Sequence, residues 1–170
     1  LKQQKELLSV EEKLALVSTE CGVGIKQNSK GNREVWIGGK LHISAVDGDI
    51  PVTAFYSGAN IHDSSIALPL IQETSKRVNY LYDLQDAGYD ADIIREFSNK
   101  LGHRPIIDTN PKNSKELKAK IELMEHEGKT FKDINQHLNC DEEHYNQRSM
   151  VERVNKYLKD DFGCDKIYYQ

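Results

Sequence analysis

Two short runs with a tight turn between them constrain this chain more than any other feature. KLHISAV covers Lys40 to Val46 and IPVTAFY covers Ile50 to Tyr56, with Asp47, Gly48 and Asp49 between them. Both runs are rich in β-branched and aromatic residues, which fit a pleated surface. Glycine and aspartate tolerate the left-handed backbone of a tight turn. A connection this short joins two strands only in antiparallel order. The spacing therefore predicts a hairpin, with Trp36 and Ile37 extending its first arm. Side chains alternate along a strand, so Leu41, Ile43 and Ala45 face one way and Lys40 and His42 the other.

Beyond the hairpin the hydrophobic period lengthens. HDSSIALPLIQETSKRV carries Ile66, Leu68, Leu70 and Ile71 and predicts a helix capped by Asp63 or Ser64. Pro69 weakens the middle of that helix or shortens its start. NYLYDLQ, Asn79 to Gln85, returns to strand character. DADIIREFSNKLG predicts a short amphipathic helix with Ile93, Ile94, Phe97 and Leu101 on its apolar side and Gly102 as its stop. RPIIDT, Arg104 to Thr109, is a further strand. SKELKAKIELMEHEG reads as a helix with Leu117, Ile121 and Leu123 or Met124 inward, closed by Gly128. TFKDINQHLN reads as another short helix.

Upstream of the hairpin, two readings fit. Ser9 and Glu12 have the spacing of a capping box for a short helix, and LALVST, residues 14 to 19, has the character of a buried strand. The polar, glycine-bearing stretch from Gly22 to Asn32 reads as a loop. Strands alternating with helices predict an α/β fold, a mixed β-sheet flanked by helices. Polar residues fall at the strand ends, where open sheets of this class place their sites.

At 170 residues the chain suffices for one domain, residues 1–170. It is 38% hydrophobic and 29% charged, a foldable composition rather than a disordered one. It has no apolar run of membrane-spanning length, and LKQQKELL lacks the apolar core of a secretion signal. Cys21, Cys140 and Cys164 are odd in number and far apart. They predict neither a metal knuckle nor a disulfide framework, and fit a reducing compartment. The net charge of -4 gives no global support to nucleic-acid binding. Acidic groups with a local basic stripe nonetheless suit metal-assisted work on phosphates.

The last helix holds YNQRSMVERVNKYLK, Tyr145 to Lys159. At about 100° per residue, Tyr145, Arg148, Glu152 and Lys159 fall within about 60° of one another. Val151, Val154 and Leu158 occupy an adjacent arc that can enter a core. An ordinary ion pair between Arg148 and Glu152 accounts for part of this pattern. The whole spacing resembles the signature of the insertion-sequence transposases of the IS4 type: tyrosine, two residues, arginine, three residues, glutamate, six residues, lysine. Two further blocks resemble the same family in the same order. LYDLQDAGYDADIIREFSNKLGHRPIID places an aspartate, Asp86, at a strand end before the tripeptide Gly88, Tyr89, Asp90. WIGGKLHISAVDGDIPVTAFYSGANIHDS ends in the pair His62 and Asp63. The likeness runs from about Leu14 to Phe162.

This resemblance implies a ribonuclease-H-like core and a DDE enzyme, the catalytic region of a DNA transposase. The expected activity is divalent-metal-dependent DNA cleavage and strand transfer of a mobile element. Asp86 and Glu152 are then catalytic residues and ligands of Mg2+ or Mn2+, cations that favour hard oxygen donors. Arg148 brings a fork of donors suited to phosphate oxygens, and Lys159 a flexible point charge for the DNA backbone. Tyr145 packs beneath the site or stacks near a flanking base. Two roles fit Lys40 and His42, DNA contact or cover for the sheet edge, while His62 and Asp63 suit a helix start. The implied partners are double-stranded DNA at transposon ends and target, and a second copy of the chain, with no membrane. The implied location is the bacterial cytoplasm, at the nucleoid. The chain is expected to be truncated at both ends relative to such transposases.

One position departs from the family pattern. Where the first catalytic aspartate belongs, the chain has Val17, which cannot ligate a cation. Glu12 and Glu20 are each an odd number of residues away, on the opposite face of a strand. The alternative is therefore a catalytically inactive, transposase-derived domain that binds DNA or a partner.

Overall fold

The computed structural model describes residues 8–27, 31–108, 115–128 and 147–164. The chain divides into two compact units, one containing residues up to Tyr80 together with those from Ser149, the other running from Leu81 to Arg148.

The first unit opens with helix α1, Val10–Ala15. Ser9 Oγ accepts the Glu12 N–H at 3.1 Å, and Glu12 accepts the Ser9 N–H at 2.7 Å. The capping-box reading is thus the one realised, and no strand forms over residues 14 to 19. Three strands follow: β1 Gly22–Gln27, β2 Arg33–Val46 and β3 Ile50–Gly58, in the order β1-β2-β3. Both pairings are antiparallel, so the hairpin forms as its sequence predicts, with Trp36 and Ile37 inside its longer first arm. Gly48 and Asp49 adopt positive φ, 83° and 60°, which closes the turn.

The expected loop over residues 22 to 32 is a correction, because its first half is β1. Its apolar residues alternate with glycine and lysine, and they pair across to β2 as Val23 with Ile37 and Ile25 with Val35. Such cross-strand pairs of β-branched residues contribute about 0.2–1 kcal/mol each. The Trp36 ring lies over Gly24, where a Cβ would come within 2.2 Å of it.

Consecutive strand residues point to opposite faces. His42 and Ile43 are both buried, so both faces of the hairpin are covered at that level. Helix α2, Ser64–Arg77, packs on β2 and β3, and also on α1. It buries Ile66, Ala67, Leu68, Leu70 and Ile71. Pro69 is buried within it without ending it. As the sixth residue of the helix, it forgoes the one hydrogen bond its N–H would have made to the Ser65 carbonyl.

The second unit is built on a strand–helix–strand motif. Strand β4, Tyr82–Gln85, and strand β5, Arg104–Ile107, are parallel neighbours joined through helix α3, Asp92–Lys100. Ile94 and Phe97 are the buried anchors of α3; Leu101 lies past its end and is exposed, and Gly102 follows with φ 83°. Helix α4, Lys115–His126, buries Met124 and leaves Leu123 exposed. The predicted helix TFKDINQHLN lies outside the described residues. Among those described, the strands form an antiparallel sheet of three and a parallel pair, where the sequence suggests a single mixed sheet. No helix of the described residues is long and apolar enough to cross a membrane.

Candidate active site

Asp86 follows β4 directly and caps a single 3-10 turn, Ala87–Tyr89. Its Oδ1 accepts the Gly88 N–H at 2.9 Å. This fixes one carboxylate oxygen against the backbone. A Cβ at Gly88 would come within 3.0 Å of the same oxygen, so the glycine keeps the turn tight. The third residue of the tripeptide, Asp90, receives Arg95 from α3 at 2.8 Å, and Arg95 also donates to the Ile107 carbonyl at 3.0 Å. One guanidinium therefore ties the loop after β4 to the end of β5. Beneath it, the buried Asp83 accepts from Ser98 Oγ and pairs with His103 Nδ1 at 3.1 Å. That network joins β4 to the end of α3. A strand end held in this way is a stable mount for an exposed carboxylate.

Glu152 lies on helix α5, Ser149–Asp160, which packs on β2 and β3. Val154 is its buried anchor, with Val151 and Leu158 half-buried and Glu152 and Lys159 exposed. The predicted stripe is therefore only partly helical. Arg148 precedes the first helical residue and is half-buried. Tyr145 lies outside the described residues. The Ser149 hydroxyl at the helix start accepts from Arg153 Nη1 at 3.0 Å.

Arg153 makes a second and larger contact that the spacing of the stripe does not show. Its Nε donates to Asp49 Oδ1 at 3.0 Å and to Oδ2 at 2.8 Å, and its Nη2 donates to Oδ1 at 2.7 Å. The guanidinium holds the Asp49 carboxyl below the usual carboxylate range, through these hydrogen bonds first and its charge second. The two residues are 104 positions apart. The sequence shows only the general turn chemistry of Asp47–Asp49.

Lys40 is placed differently from a free phosphate contact. Its Nζ donates to Asp63 Oδ1 and to the Ile61 carbonyl, each at 2.9 Å. Asp63 precedes α2 but makes no side-chain cap; His62 takes that part, its Nδ1 accepting the Ser64 N–H at 3.4 Å. His42 neither covers an edge nor reaches outward. It is buried, with Nε2 2.8 Å from Ser57 Oγ. Burial lowers its pKa below 6.5, Asp63 opposes that shift, and Lys40 reinforces it.

Val17 is half-buried and in no strand, its N–H donating to the Leu14 carbonyl at 2.9 Å just past α1. The expected first-strand carboxylate is thus missing in residue type, and its position lies outside any strand. Among the described residues no three acids, histidines or cysteines form a group that could hold a metal ion.

The sequence pattern of the transposase DDE domain family matches residues 8–170. The chain belongs to that family. Comparison with curated proteins and with solved structures gave no match. The family assignment therefore rests on nearly the whole chain, across both units.

Proposed function

We propose that this chain is the catalytic region of a DNA transposase of the IS4 type, with a ribonuclease-H-like fold. The observation that carries this reading is the family match over residues 8–170. Asp86 and Glu152 are its catalytic carboxylates. Their donor chemistry suits Mg2+ or Mn2+, which commonly bind through one or two carboxylates with substrate phosphates completing the shell. When bound, such cations stabilise the attacking and leaving oxygens of an in-line displacement at phosphorus. Arg148 and Lys159 contact the backbone of the mobile-element end, and Tyr145 stacks or packs beside it. Lys40 is a further phosphate contact, one that competes with its existing pair to Asp63. The products are a cut element end and, after attack of its 3′-hydroxyl on target DNA, a joined strand. Two ends held together call for a homodimer acting on DNA at the nucleoid.

Val17 favours a second reading, a domain of this family that binds DNA or a partner without cutting. Nicking of supercoiled plasmid in Mg2+ separates the two. The enzymatic reading expects nicking that disappears in Asp86→Asn and in Glu152→Gln. Retention of DNA without nicking, unchanged by chelator and by Glu152→Gln, establishes the second reading instead.

A further inference from the structure

Helix α5 touches the sheet through one fully buried side chain, Val154, flanked by half-buried neighbours. A helix seated on so narrow an apolar contact has little to fix its rotation about its own axis. Arg153 supplies a second point of attachment about 100° around the helix from both Val154 and Glu152. Its partner, Asp49, sits in the left-handed conformation at a three-residue turn between paired strands. Fork-to-carboxylate bonding fixes orientation as well as distance, which a single point charge does not.

We propose that Asp49 and Arg153 are positioning residues for Glu152, acting as a clamp that sets the roll of α5 and so the direction of the Glu152 carboxylate. This rests on the reading of Glu152 as a metal ligand. Side chains ride about 5–6 Å from a helix axis. A roll of about 20° at that radius carries a carboxylate about 2 Å, whereas metal–ligand distances tolerate about 0.2 Å. Arg153 is largely exposed, so solvent screens the direct contribution of the pair to stability. What the clamp contributes is geometry.

The test is Mn2+ binding, followed by the loss of the free-ion electron paramagnetic resonance signal, at a temperature where circular dichroism shows every variant folded. Asp49→Asn is expected to weaken Mn2+ binding about 10-fold, the lower end of what outer-sphere partners of a ligand contribute. Added to Glu152→Gln it is expected to change nothing further. Arg153→Lys keeps the charge but loses the fork, and is expected to weaken binding as Asp49→Asn does, which loss of charge alone does not predict. If Glu152→Gln abolishes binding while Asp49→Asn leaves it intact, the clamp is refuted and the ligand reading stands. If wild type binds no Mn2+, or Glu152→Gln has no effect, the ligand reading fails and the clamp falls with it.

Discussion

A Cβ on Gly58 would lie 2.4 Å from the Glu20 carbonyl oxygen, which is backbone and cannot swing aside. Gly58→Ala is therefore expected to destabilise the chain by about 1–3 kcal/mol, the range for overpacking a tight contact, as a lowered urea midpoint at unchanged slope. His42 carries the other residue-scale expectation. Its pKa is lowered from 6.5 in the folded chain, chiefly by burial. Below that value the unfolded chain binds more protons than the folded one, so stability falls as pH falls. The contribution is complete above 6.5 and is lost as pH drops through the folded value. Urea unfolding at about pH 5 and about pH 7.5 should show this loss in wild type, with a smaller loss in His42→Gln. The sequence displayed Asp86 at its strand end and Glu152 on its helix, because each signal is local. It did not display the partners of Lys40 or Arg153, because those pairs form only when distant segments meet.

At the scale of elements, legibility followed the strength of local patterning. The hairpin, α2, β4, α3 and β5 were all readable from period and turn chemistry. Strand β1 was not, since two glycines and two polar residues hide its alternation, and what makes it a strand is pairing with Val35 and Ile37. The final stripe is only partly helical for a related reason: helical spacing says where residues would fall on a helix, not where that helix begins. Helix α1 is short and owes its start to the reciprocal bonds of Ser9 and Glu12. Ser9→Ala is expected to remove about 1 kcal/mol of stability, measured by denaturant unfolding. Deeper in the second unit, Ile94→Ala leaves a void at a fully buried position and is expected to cost about 2–5 kcal/mol, again by unfolding midpoint.

For the whole molecule, the family match spans both units, and the two candidate carboxylates are divided between them, Asp86 in one and Glu152 in the other. The proposed function needs both carboxylates. Composition gave no hint of this, since a net charge of -4 is spread along the chain. Val17 sharpens the requirement, because a site lacking its first aspartate depends more heavily on the remaining two. Calorimetric titration of Mn2+ into wild type, Asp86→Asn and Glu152→Gln tests it most directly. A saturable site in wild type that is lost in each single variant is the predicted result. Binding that survives in either variant, or no binding in wild type, contradicts the assignment of Asp86 and Glu152 as metal ligands.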